Sequence, residues 1–128
     1  MTPELFLSQP IRDVEVRYVK HAACGAFAIA TLDFEPQRYG FGLDIARGVR
    51  LEVDEYGQDY RDVFAYVDAL AAGITEELGT RPDLDVRARA ILRRMVINPV
   101  DSNEMAFRHA GRLAARAALE RFDHEPST

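Results

Sequence analysis

Residues 98–107 read Asn-Pro-Val-Asp-Ser-Asn-Glu-Met-Ala-Phe, with Asn98, Asp101, Ser102, Asn103 and Glu104 crowded together. Carboxylates, amides and a hydroxyl at this density suit an acid–base pair, a cation site, a recognition loop or the start of a helix. Local chemistry favours the last. Asp101, followed three residues later by Glu104, has the form of a capping box. The Asp101 carboxylate accepts from free amides of the first turn, and Glu104 reaches back to the Asp101 amide. Such a cap contributes about 1 kcal/mol. Pro99 pushes Asn98 toward extended geometry. Asp101 and Glu104 are therefore assigned to a helix cap, with no catalytic role.

The remaining reactive residues are sparse. His21 and Cys24 have His-x-x-Cys spacing, but a structural zinc site needs four ligands, and His109 and His124 are the only other histidines. No metal is expected. Cys24 as a nucleophile would need His109 as its base through a tertiary contact. No Ser/His/Asp spacing stands out, and Asp54, Glu55 and Asp59 read as a solvated loop. Arg87, Arg89 and Arg93 share one face of a strand. That face suits RNA phosphates, or cross-strand pairing with Asp13 and Glu15. Arg108, Arg112 and Arg116 recur every four residues on a helix, as a solvated stripe does. No enzyme chemistry and no cofactor is expected.

The totals bound the rest. A chain of 128 residues is most simply one domain. Nearly half of it is hydrophobic, which argues against disorder. One cysteine permits no intrachain disulfide, and with no signal-peptide pattern a cytoplasmic protein is the simplest reading. No apolar run is long enough to span a bilayer. The net charge is −5, yet every basic residue after residue 80 is arginine. Any RNA contact must then be local rather than global.

These residues must be held by a small set of elements. Val14, Val16 and Tyr18 alternate with Asp13, Glu15 and Arg17, the pattern of a half-buried strand. Residues 1–10 form a leader or an edge segment. Phe27 to Phe34 is a second strand, and Phe41, Leu43 and Ile45 begin a third that Val49 to Val53 continues or follows. Val63, Phe64, Val67, Leu70, Ala71, Ile74 and Leu78, with Tyr60 before them, follow one helical face ending at Gly79. Val86, Ala88, Ala90 and Leu92 alternate with Arg87, Arg89, Ile91 and Arg93. A second helix runs from about Ser102 to Phe122, and its many alanines and Gly111 let it lie close against a neighbour. The fold class is α+β, with two helices on one face of a four-stranded mixed sheet.

The run Val100-Asp101-Ser102-Asn103-Glu104-Met105-Ala106-Phe107, with Ala110 a turn later, resembles domain IV of translation elongation factor G. That family has Val-Asp-Ser-Ser-Glu, an apolar residue, then Ala-Phe; Asn103 replaces its second serine. Glu35-Pro36, Tyr39, Phe41 and Ile45, Gly48-Val49, Gly73-Ile74 and Glu77-Leu78 extend the likeness over most of the core, about residues 11–122. Ribosomal protection proteins share this domain. The resemblance implies a ribosomal-protein-like fold with a left-handed βαβ unit, a handedness that periodicity cannot give. No Gly-x-x-x-x-Gly-Lys-Ser/Thr run is present, so the chain looks like domain IV without its GTPase.

In that family two tip loops approach the decoding site of the small ribosomal subunit. Here the Gly-rich first loop matches His21 to Ala26, shorter and without its arginine. The second matches Met95 to Asn98, with Asn98 in place of the tip histidine. The expected function is a non-enzymatic, domain IV-like binding module associated with the ribosome or a structured RNA. Asn98, Pro99, Arg87, Arg89, Arg93 and His21 are its candidate contacts. The alternative is a protein-interaction or oligomerising subunit that kept the fold and lost RNA binding.

Overall fold

The computed structural model describes residues 2–21, 25–53 and 62–124. In chain order the elements are β1 (Glu4–Phe6), β2 (Ile11–Lys20), β3 (Ala26–Pro36), β4 (Gly40–Val53), α1 (Val63–Leu78), β5 (Leu84–Ile97) and α2 (Glu104–His124). β5 is the hub of the sheet. It pairs antiparallel with β3 and parallel with β4, and its first residues pair parallel with the short β1. β2 completes an antiparallel hairpin with β3. The sheet is therefore mixed, with α1 connecting two parallel strands, and the α+β expectation holds. β1 adds a short fifth strand within the segment read as a leader or edge.

Alternation explains the buried face. Val14 and Val16 on β2, Ala28, Ala30, Leu32 and Phe34 on β3, and Ala88, Ala90 and Leu92 on β5 all point into one core. The β3–β5 register then shifts between Thr31 and Leu32, leaving Arg93 as an extra residue on β5. A bulge of this kind reverses the alternation, so Met95 and Ile97 turn inward beyond it. β4 is one strand with a register shift between Ile45 and Arg50, not two strands. α1 buries Val63, Tyr66, Val67, Leu70 and Ile74, whereas Phe64, expected on that face, is 72% exposed. Tyr66 takes the place three residues after Val63 and stacks on Phe107 at 4.7 Å. Tyr60 lies outside the described residues.

The helices meet backbone to backbone. A Cβ at Gly73 would overlap the Arg108 carbonyl, and one at Gly111 would overlap the Leu70 carbonyl. Arg108 and Arg112 both reach Glu76, and Arg116 reaches Glu77, along the same seam. Gly111→Ala should therefore destabilise the fold despite alanine's better helix propensity. The expected loss is about 2 kcal/mol, from overpacking of 1–3 kcal/mol or more against a propensity gain of about 1. Urea unfolding checks this, and an unchanged midpoint would refute the contact.

Candidate functional site

The strand directions bring three connections to one end of the molecule. Lys20 pairs with Ala26, Ile29 with Val96, and Val53 with Ile97. The ends of β2, β4 and β5, the start of β3 and the β5–α2 turn therefore lie together there. His21 is exposed at this end. Cys24, Asp54, Glu55 and Asp59 lie outside the described residues. Among the described residues no cluster of three or more His, Cys, Asp or Glu side chains is placed to hold a metal ion.

The β5–α2 turn is closed by hydrogen bonds. Asn98 is only 9% exposed. Its side-chain oxygen accepts from the amides of Val100 and Asp101, both at 2.9 Å. The Asn98 amide donates to Ser102 Oγ at 2.9 Å, and the Ser102 hydroxyl donates to the Phe27 carbonyl at 2.7 Å. This Asx turn fastens the β5–α2 turn to β3. The helix cap falls later than the sequence suggested. Asn103 is the capping residue, its Oδ1 accepting from Ala106 N at 2.7 Å. Asp101 lies in the turn, its carboxylate where a Gly25 side chain would be, and Glu104 is an exposed residue of α2's first turn. The capping-box pair is corrected accordingly: Ser102 must face β3, and that places Asn103 at the helix entrance. Pro99 is exposed beside the turn, as are Val100 (81%) and Met105 (82%).

The arginines of β5 lie on the sheet face away from the helices, each beside a carboxylate. Arg87 pairs with Asp85 at 2.9 Å, and Arg89 with Asp44 at 3.1 Å and Glu35 at 3.2 Å. Arg93 pairs with Asp33 at 2.8 Å. Arg12 joins Asp33 and Glu35, and Arg94 joins Glu52. Pairing was foreseen, but not these partners. β3 stands between β2 and β5, so Asp33 and Glu35 take the contacts assigned to Asp13 and Glu15. Among the described residues, only Arg94 reaches Glu15, at 3.7 Å.

Asp33 is the buried member, 3% exposed. Its Oδ1 also accepts from the Asp13 amide at 2.9 Å. Asp13 sits at a β2 bulge with φ of 55°, a left-handed geometry that Asp tolerates better than most residues. Burial pushes the Asp33 carboxyl upward, but the Asp13 amide, Arg93 and Arg12 together bring its pKa below the ordinary value. Arg12 and Arg89 lower Glu35 likewise.

A groove opens between the end of β2 and the start of α2. It encloses about 860 Å³ and is lined by Tyr18, Gly25, Met105, Arg108, His109 and Arg112, among others. Tyr18 and His109 lie ring against ring, centroids 4.3 Å apart and tilted by 47°. The Lys20 ammonium stands 5.3 Å from the Tyr18 centroid. The His109 pKa is lowered first by burial, then by Arg112, Lys20 and Arg116. Sequence reasoning had Tyr18 only as a strand residue and His109 only as a partner for Cys24. Nothing in the linear order pairs them.

With this geometry in hand, comparison with known proteins gives a match at the level of the fold. No family model matches the chain. A crystal structure of a Thermus thermophilus protein is similar, with a TM-score of 0.63 and 20% identity over 90% of this chain. The match spans 16% of that chain, so the fold recurs there as one part of a much longer protein. Among the described residues, no helix is long and apolar enough to cross a membrane.

Two outcomes follow. Ser102→Ala removes both the acceptor for Asn98 N and the donor to Phe27 O, so stability should fall by about 2 kcal/mol, measured by denaturant melts. Acid should also unfold the protein. Asp33 and Glu35 hold their charge to lower pH when folded than when unfolded, so their contribution is complete above the unfolded values near 4. It is lost as pH falls through the depressed folded values. Thermal melts between pH 7 and pH 2 should show a small fall below about pH 6.5, where the unfolded chain protonates His109 more readily than the fold does, and the main fall below about pH 4. A midpoint unchanged between pH 4 and pH 2 would refute the carboxylate contribution.

Proposed function

We propose that this chain is a non-enzymatic binding module of the elongation factor G domain IV type, engaging the ribosome or a structured RNA through its loop end. The fold similarity and the 100–107 run at the entrance of α2 support the family reading. The observation that carries the binding reading is the aromatic groove at that end, with cations around it. There Lys20, Arg108 and Arg112 surround the Tyr18–His109 pair, with the carboxylates of Glu76, Glu104 and Asp101 beside them. The arginine face of the sheet is a weaker candidate, because its cations are matched by carboxylates that would repel phosphate. Arg89 and Arg93 on this reading chiefly tie strands together, and Arg87 pairs with Asp85 within β5. Asn98 shapes the turn rather than touching a ligand.

A second reading rests on a specific feature. Phe64, Val100 and Met105 are large, apolar and strongly exposed at the loop end, and that suits a protein contact or self-association. The test separates the two. Purified protein should co-sediment with ribosomes or retard structured RNA at low salt, with affinity falling steeply as salt rises. Absence of both, together with concentration-dependent association in light scattering that Val100→Ser and Met105→Ser abolish, would replace the first reading with the second.

A further inference from the structure

We infer that the groove between β2 and α2 is a nucleotide subsite in which Tyr18 and His109 stack one base of a single strand while Lys20 and Arg108 hold its phosphate. The inference rests on the RNA reading above and deepens it by naming where the strand sits.

Tyr18 follows Val14 and Val16 on the helix-facing side of β2, but only partly buried, near the strand's end. Among the described residues β2 pairs with β3 alone, so no other strand of the sheet covers Tyr18 laterally. α2 supplies His109 against it. The pair is thus a half-buried aromatic surface with an open side, the arrangement on which unpaired bases stack regardless of sequence. Lys20 is two residues further on the same side of β2. Its ammonium lies beside the Tyr18 ring, where cation–π attraction orients it.

The polar rim fits a phosphate. Arg108 and Arg112 share one carboxylate, Glu76, while Glu104 and the Asp101 carboxylate beside Gly25 stand at the rim, so a phosphate is met by Lys20 together with the unshared donors of the two arginines. Burial and the surrounding cations favour the neutral imidazole of His109, which stacks without adding charge repulsion toward Lys20. The volume is that of a small-ligand cleft. An acidic peptide would meet the same cations but would leave the aromatic surface unused.

The experiment is titration of isotope-labelled protein with AMP, with UMP, and with inorganic phosphate alone, followed by NMR. AMP should shift resonances of Tyr18, His109, Lys20 and Arg108, with phosphate alone giving much smaller changes at the rings. Single-stranded RNA should bind Tyr18→Leu and His109→Ala about tenfold more weakly than the parent protein. Tyr18→Phe, which keeps the ring, should bind within about twofold, a distinction that a merely structural role for the hydroxyl would not show. If AMP shifts no groove resonance, or polyglutamate displaces RNA as well as RNA of equal charge does, the subsite is wrong. AMP in the groove without ribosome or RNA binding would sink the functional reading alone. RNA binding indifferent to both ring deletions would sink the subsite alone. The titration of the parent protein decides the matter even if a variant fails to fold.

Discussion

Two glycines set how close the helices can come. At Gly73 and Gly111 the backbone of each helix occupies the space a side chain would need on the other. Approach at this range brings the Arg108, Arg112 and Arg116 side chains across the seam to Glu76 and Glu77. It also fixes how far α2 can reach over the hairpin. α2 is held to α1 on one side, and on the other it packs onto β2 and β3 through Tyr18–His109 and onto β1 through Phe6–Phe122, whose rings meet edge to face at 5.1 Å. A wider helix pair would change both contacts together. The candidate groove is therefore a consequence of the helix crossing and not an independent feature of the loops.

The outer sheet face obeys a different constraint. It carries a high density of arginine, and the cost of assembling like charges is met by placing a carboxylate beside each arginine of β5. Exposed pairs of this sort contribute little individually. Asp33 differs because it is buried and accepts from a backbone amide as well as from two arginines. Its desolvation is offset by these three donors together, and this links the β2 bulge at Asp13 to the β5 bulge at Arg93. The face thereby gains register. It loses attraction for phosphate by the same pairing.

Much of the architecture was legible in the sequence because it follows from periodicity. The alternation in β2 and β5, the helical face of Val63 to Leu78 and the small residues of α2 each mark their element. The errors share a cause. Asp101 matched the capping pattern, but Ser102 is committed to Phe27 of a distant strand, and this moves the cap to Asn103. Asp13 and Glu15 were sensible partners for the arginines until β3 proved to lie between. Phe64 fitted the helical stripe by spacing, yet Tyr66 has a partner in Phe107 and Phe64 has open space. The Tyr18–His109 pair had no linear signal, because its two members are joined only by the packing of α2 over the hairpin.

The same logic bears on what the loop end can do. By its resemblance in sequence, Asn98 is expected among the contacts of a tip loop. Here the Asn98 side chain is turned inward and spends its oxygen on the two amides that close the turn, while Ser102 ties that turn to β3. A residue so engaged cannot probe a partner without unfastening the entrance of α2. The domain IV-like run from Asp101 to Phe107 thus serves the scaffold. On the proposed binding reading, recognition falls to surfaces this network leaves open: the apolar residues Val100 and Met105 beside the turn, and the aromatic, cation-rimmed groove next to them. Of these, the groove combines a stacking surface with neighbouring cations, and on the proposed reading a nucleic acid is met along the flank of the hairpin.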